Sequence, residues 1–421
     1  MTLRPGSPLR LLLGLGLAVC APGSALAQSE AAPAEESASG EGPIGRVFDI
    51  NRRAIVPSLE DAARGLLDDE YLAFKARVAK DHGLSWTMDV SWLQQWGARG
   101  GGSPAAQWLA IPQFNWVLFD SKDIGAGSVQ LVYNAARYGT AQDATAIQER
   151  LDLVTPINDY AHRQDIFPQL SYTHAFPGTS LIVGVGQFPI YNFDDSDYLN
   201  NQQRNFNNYI LSQNGSATYP QGGVGAWAQI DAAPTVQLAG GFQNATNVGA
   251  QTLSAKAIGQ YGVAWFGYAQ WTPAFAGKGS AQYSLLYYQA PSVPAQPRTR
   301  GWSLNAVQNL DDTWAVFGRA NRAYEFVTPI RASYAVGVAM NNPLGRSAGD
   351  QVALAFGYSD VAPPPVNPPG ARNEKILEAY WNWSVTKVLL VTPAVQYIID
   401  PALNPTRNSA WIWSLRTTFR F

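Results

Sequence analysis

The run Tyr191-Asn192-Phe193-Asp194-Asp195-Ser196-Asp197-Tyr198, with Arg204 six residues further on, is the densest group of chemically capable side chains in this sequence. Aromatic faces beside carboxylates, amides and a guanidinium suit one task. They replace the water around a polyhydroxylated solute, the rings covering C–H surface while the polar groups bond hydroxyls. Hydrolytic, redox and metal chemistry need other groupings. His82, His162 and His174 are isolated, and no His-Glu-x-x-His, Gly-x-Ser-x-Gly or cysteine pair accompanies them. The expectation is therefore a non-enzyme with no catalytic group, metal or cofactor. Gly184-x-Gly186 and Gly223-x-Gly225 look like phosphate loops only superficially; glycines where side chains crowd explain them better.

The elements that position these residues show a period of two. Leu84, Trp86, Met88, Val90 and Trp92 alternate with Ser85, Thr87, Asp89 and Ser91. The end of the chain does the same: Trp411, Trp413, Leu415, Thr417, Phe419 and the terminal Phe421 lie on one face, Ser414, Arg416, Thr418 and Arg420 on the other. Sixteen such segments are expected, at 85–96, 107–119, 127–137, 165–175, 180–189, 223–231, 234–243, 259–271, 279–289, 300–309, 313–322, 331–340, 350–359, 375–384, 387–398 and 410–421.

The start of the chain and its composition say which environment these strands meet. Arg4 and Arg10 precede the short apolar run Leu11–Val19, and Ala25-Leu26-Ala27 is a cleavage site of A-x-A type, so 1–27 reads as an export signal. Leu17-Ala18-Val19-Cys20 resembles a lipoprotein box, but Val19 is a poor residue before a lipidated cysteine. Cleavage after Ala27 removes the only cysteine and leaves 394 of the 421 residues, with the net charge moving from −2 to −4 as two arginines are lost. Charged residues are only 14 % and aromatics 12 %, mean hydropathy is −0.13, and no mature segment holds eighteen consecutive apolar residues. A transmembrane helix is excluded, whereas a transmembrane antiparallel β-barrel hides its apolar band on alternate residues. A secreted β-sandwich or propeller is the alternative, and the aromatic C-terminal strand speaks against it.

The connections give an independent count. Residues 28–44 form an Ala/Glu/Ser-rich leader, and 45–83 a helical segment in which Ser58–Lys80 carries helical spacing, with a break near Gly65. With both ends on one side, the turns SKDIGAG, FPGTS, DAAP, TPAFAGK, LDD, NNPLGRSAG and SVTK fall on the inner side, and all are short. The long connections 138–164, 190–222, 244–258, 290–299 and 360–374 fall outside. About sixteen strands enclose a water-filled lumen. The 190–222 loop, rich in aromatics and amides, is expected to fold inward and narrow it.

Alternation points Asp89, Gln130, Asn134, Trp227, Arg319 and Asn321 into the lumen, together with Arg331, Glu378, Tyr380 and Arg416. With the loop cluster they are the candidate solute-binding residues. Glu378 and Arg416 are expected to bond hydroxyls and partly neutralise one another. Trp86, Trp96, Trp108, Trp116, Trp271, Trp383 and Trp413 point outward as a membrane-interface girdle.

The stretch Glu378–Pro401 (EAYWNWSVTKVLLVTPAVQYIIDP) followed by Trp413–Phe421 resembles the OprB-type carbohydrate-selective porin family. The matching positions are Glu378, Tyr380, Thr392, Pro393, Gln396, Tyr397, Asp400, Pro401, Arg416 and Phe421, and Asn192–Asn201 is similar to that family's loop. The resemblance implies a sixteen-stranded outer-membrane channel favouring sugars, with the N-terminal helical stretch near the pore. Its partners would be neutral sugars, outer-membrane lipids and the barrel-assembly machinery, which reads Phe421. No nucleic acid would take part, and the protein would be a monomer or trimer. A general or anion-type diffusion porin and an exporter of acidic polysaccharide are the other readings. The seven lysines are scattered, which disfavours a basic ladder for anions.

Overall fold

In a membrane each backbone N–H and C=O must find a partner within the protein, so strands are admissible only in a sheet without edges. The computed structural model, which describes residues 68–194, 196–253, 260–275 and 279–421, meets this condition with a closed antiparallel barrel of sixteen strands. The expected export signal, the leader and the helical residues 45–67 lie outside the described residues, as does Asp195.

The strands are β1 (Leu84–Gly97), β2 (Ala105–Ser121), β3 (Gly125–Tyr138), β4 (Gln164–Ala175), β5 (Ile182–Phe188), β6 (Gly223–Ala233), β7 (Val236–Asn244) and β8 (Val263–Trp271). They continue as β9 (Ala281–Ala290), β10 (Thr299–Asn309), β11 (Trp314–Glu325), β12 (Ile330–Asn341), β13 (Gln351–Val361), β14 (Glu374–Ser384), β15 (Leu389–Ile399) and β16 (Ser409–Arg420). Each pairs with its sequence neighbours, and β1 closes on β16 with Asp89 opposite Arg420 and Trp96 opposite Trp413.

Alternation sets the two faces. On β16, Ile412, Ser414, Arg416 and Thr418 are buried inside while Trp411, Trp413 and Phe419 are exposed outside. A soluble sandwich would bury that row; here it forms the lipid-facing band. Of the seven expected girdle tryptophans, Trp96, Trp108, Trp116, Trp271, Trp383 and Trp413 are exposed, while Trp86 is half-buried against Tyr71 and Phe74. Crowding explains the glycines: a Cβ on Gly184 would stand 2.2 Å from the inward Trp227 ring.

Arg331 departs from the alternation. A β-bulge between Ile330 and Ala332 inserts an extra residue, so Ile330 is buried inside and Arg331 turns to the outer face. Its guanidinium bonds the outward Asp360 at 2.8 and 2.9 Å. The expectation that it lines the lumen is corrected accordingly.

A helix, α1 (Asp68–His82), runs into β1 at the end of the barrel that carries the short turns. It stops at Gly83, whose φ of +67° admits few side chains and where a Cβ would meet the Val117 carbonyl oxygen at 2.3 Å. Tyr71 accepts a hydrogen bond from Trp86 Nε1 at 3.0 Å and sets its ring edge-on to Phe421, 6.4 Å between centroids. Phe421 itself exchanges N–H···O bonds of 2.8 and 2.9 Å with Met88 across the seam.

Deleting Phe421 removes the last bonded pair of the closing seam and the ring that α1 packs on. The expected outcome is a strong fall in the heat-modifiable barrel recovered from outer membranes. Normal recovery would show that the terminal residue is dispensable for assembly.

Candidate functional site

The connection between β5 and β6 leaves the wall and crosses the lumen, because its backbone finds its partners on the opposite strands. It begins with a 3₁₀ turn (Ile190–Phe193) and later forms the single turn α3 (Tyr209–Ser212). The seven-residue helix α2 (Ala144–Arg150) belongs to the neighbouring outer loop, capped by Asp143, which accepts the Ala146 N–H.

Phe193 starts the crossing in an aromatic nest, 4.5 Å from Phe266 and 5.7 Å from both Trp227 and Tyr268. Asp194 is buried beside it and saturated: its carboxylate accepts from Asn214 (2.8 Å), Tyr219 (3.1 Å) and Asn305 (3.1 Å). Tyr198 stacks on Phe317 at 5.0 Å and donates to Asn309. Arg204 then reaches the far wall, where its Nε meets the Asp89 carboxylate at 2.6 Å, both side chains about nine-tenths buried. Gln203 donates to the Asp89 and Leu109 carbonyls and to Ser91.

Glu378, Tyr380 and Arg416 point inward as alternation requires, but the loop covers them. Glu378 is fully buried and accepts the Asn207 and Asn208 N–H groups at 2.7 and 2.9 Å. Arg416 is 1 % exposed and donates to the Gln202 and Asn205 carbonyls, to Asn207 Oδ1 and to Asn382 Oδ1. Tyr380 packs edge-on against Phe206 at 4.8 Å. Glu378 and Arg416 attract one another through space, and to that attraction the loop adds separate bonds, since it supplies the charge-matched groups each one needs.

Sequence reasoning missed Glu374, four residues before Glu378 and on the same inward face of β14. It accepts from the Val154 and Thr155 N–H groups at 2.8 Å and from Ala402 N at 2.9 Å, and so anchors the α2 loop. The same period that revealed Glu378 marks it.

The inward loop separates two cavities. The one on the short-turn side, about 540 Å³, is lined by Asp89, Asp197, Tyr198, Arg204, Lys387 and Arg420 among others. The one on the long-loop side, about 170 Å³, is walled by amides and tyrosines, with Asp159, Asp194 and Arg319 its charged residues among those described. Tyr191 lines it, as do Tyr209 and Gln169. Burial pushes the phenols of Tyr191 and Tyr209 up, the latter to about 12, so both remain neutral donors. Arg319 donates to Asn305 (2.6 Å) and to the Asp194 carbonyl (3.3 Å), while its Nη1 has no partner among the described residues. Asp159 sits between Ser212, which donates to it, and the Gln202 side chain that holds its N–H. Burial pushes its carboxyl up to about 7, against the opposing pull of those hydrogen bonds and of Arg319.

Among known proteins, the family model of the OprB carbohydrate-selective porins matches residues 125–421. Porin AaxA of Chlamydia abortus is 33% identical over 354 residues, 81% of this chain and 78% of that one. Porin AaxA of Chlamydia felis is 35% identical over 320 residues, 75% of this chain and 71% of that one. Among solved structures, the high-pH form of Pseudomonas putida OprB has a TM-score of 0.69 at 14% identity, covering 87% of this chain and 100% of its own. Salmonella typhi OmpF in complex with daunomycin has a TM-score of 0.52 at 11% identity over 80% and 97%. At these identities the likeness to solved structures concerns the fold.

Two outcomes are expected from this geometry. Glu378→Gln leaves one of two buried N–H groups without an acceptor, a cost of about 1–3 kcal/mol, enough to loosen the loop. Single-channel conductance should rise and become noisier; an unchanged conductance would mean that the loop does not need this anchor. Asp159 titrates near neutrality with a raised folded value, so its contribution to stability is present at low pH and lost as pH rises through about 7. The melting temperature should fall as pH rises from 3.8 to about 7 and level off above, cation selectivity should grow as pH crosses about 7, and Asp159→Asn should flatten both trends.

Proposed function

The chain belongs to the OprB family of carbohydrate-selective porins, and from that membership we propose that it is a diffusion channel whose solutes are neutral mono- or small oligosaccharides. It is an outer-membrane β-barrel porin. Sugars are the finer reading, and one observation carries it: the loop-narrowed cavity beside Arg319 is walled by tyrosines and neutral amides, with few charges left open. Asp194 is saturated within the protein and Asp159 is largely protonated below pH about 7. A neutral polyol entering this space exchanges water for amide, phenol and guanidinium partners and lays its C–H faces on tyrosine rings.

On this reading Arg319 is the main charged donor to a hydroxyl, with Tyr191 beside it. Phe193, Asp194, Trp227 and Arg204 shape the path, and Glu378, Tyr380 and Arg416 position the loop. Asp197 and Tyr198 face the cavity on the periplasmic side. The protein performs no catalysis, enters the membrane through the barrel-assembly machinery, and works among outer-membrane lipids as a monomer or trimer. A general or anion-type porin, or an exporter of acidic polysaccharide, would call for more open cations than this cavity presents.

The test is single-channel current with and without a panel of neutral sugars. Sugars should block the wild-type current, and Arg319→Gln should weaken that block about tenfold, the worth of ~1.4 kcal/mol for a hydrogen bond to a charge. Current insensitive to every sugar, with ions passing freely, would favour the general porin.

A further inference from the structure

The bulge that turns Arg331 away from the lumen places it in a second cluster, on the outward face of the rim that carries the long loops. Three carboxylates in this cluster each sit between two cations. Glu325 lies 3.2 Å from both Arg298 and Arg300. Asp360 lies 2.8 Å from Arg331 and 4.0 Å from Arg322. Asp400 lies 2.6 Å from Lys375 and 3.5 Å from Arg372. Six cations share three carboxylates, so three positive charges are left over, on side chains between 28% and 58% exposed.

Strand register makes this one continuous surface. Arg300 lies opposite Tyr324 and Arg322 opposite Trp302 across β10 and β11, and Lys375 lies opposite Tyr358 across β13 and β14. The guanidinium carbons of Arg300 and Arg322 stand 5.8 and 5.4 Å from the Tyr324 ring. Further down the wall come outward Tyr334 and Tyr358, their rings 6.2 Å apart. The exposed Leu304, Val336, Phe356 and Leu377 follow. From rim to mid-wall the order is cations, aromatic rings, then apolar side chains.

That order is the order of groups in a phosphorylated glycolipid standing in the outer leaflet: phosphates, sugar rings, acyl chains. We infer that this face of β10–β15 binds such a lipid, its phosphates held by the surplus guanidinium and ammonium groups of the rim. Each shared arginine keeps N–H groups for a phosphate oxygen, and guanidinium–phosphate bonds are the strong, charge-assisted kind. Basic clusters at the membrane surface attract anionic lipid by the same electrostatics. A second copy related by a two-fold axis fits this face poorly, since such a self-contact would set one surplus of positive charge against another.

The test compares lipids on the intact barrel in neutral detergent, with bound lipid read by native mass spectrometry. Diphosphoryl lipid A should be retained about tenfold better than its dephosphorylated counterpart, and the preference should shrink with added salt. The triple variant Arg300→Gln/Arg322→Gln/Lys375→Gln leaves one cation on each carboxylate and removes the surplus. It should lose the preference while keeping wild-type conductance and heat modifiability. Equal retention of both lipids by the wild type would overturn the inference without recourse to any variant. So would a triple variant that keeps the preference, competition by inorganic phosphate as strong as by diphosphoryl lipid A, or a triple variant that changes oligomeric state and not lipid retention.

Discussion

A carboxylate inside the lumen that accepts at least two backbone N–H groups is the contact on which the narrow part of this channel depends. β14 carries two of them. Glu378 takes Asn207 and Asn208 of the crossing loop, and Glu374 takes Val154 and Thr155 of its neighbour. A loop inside a wide barrel has no sheet to join, and its polar backbone needs partners as good as water. Fully buried wall carboxylates supply them, and Arg416 does the converse for the loop carbonyls. On the proposed reading, the selectivity of the pore follows from where these anchors hold the loop, and less from the wall side chains themselves.

The anchors also explain why so much charge near the loop does not face solute. Asp89 with Arg204, and Asp194 with its three donors, are spent within the protein. Breaking such a buried pair costs far more than the pair contributes, which keeps the loop in one position. Among the described residues, what remains open at the outer cavity is neutral apart from Arg319 and, above pH about 7, Asp159. A weak, mostly uncharged site suits diffusion, because a solute must leave as readily as it enters.

The wall divides two tasks through its period of two. Inward residues hold loops and water. Outward residues meet lipid, with exposed Val336 and Trp413 in positions no aqueous surface would favour. A single extra residue at the β12 bulge moves Arg331 from the first task to the second. The outer rim thereby gains one of the six cations that share Glu325, Asp360 and Asp400.

The barrel is legible in the residues of the chain alone. Alternation is a local property, and each strand from β1 to β16 shows it within about a dozen residues, as do the tryptophan girdle and the inward aim of Glu378, Arg319 and Arg416. The length of the 190–222 connection was legible in the same way, from neighbours in the chain. What those inward groups touch is set by contacts between residues far apart in the chain. Glu378 meets Asn207 across 171 residues of sequence and Arg416 meets Asn205 across 211, and no period encodes a contact of that kind. The structure likewise turned Arg331 outward, because a bulge is one residue out of phase and leaves the composition of the strand unchanged. The orphan Nη1 of Arg319 and the buried carboxyl of Asp159 depend on how two loops pack against a distant wall, which sequence spacing does not carry.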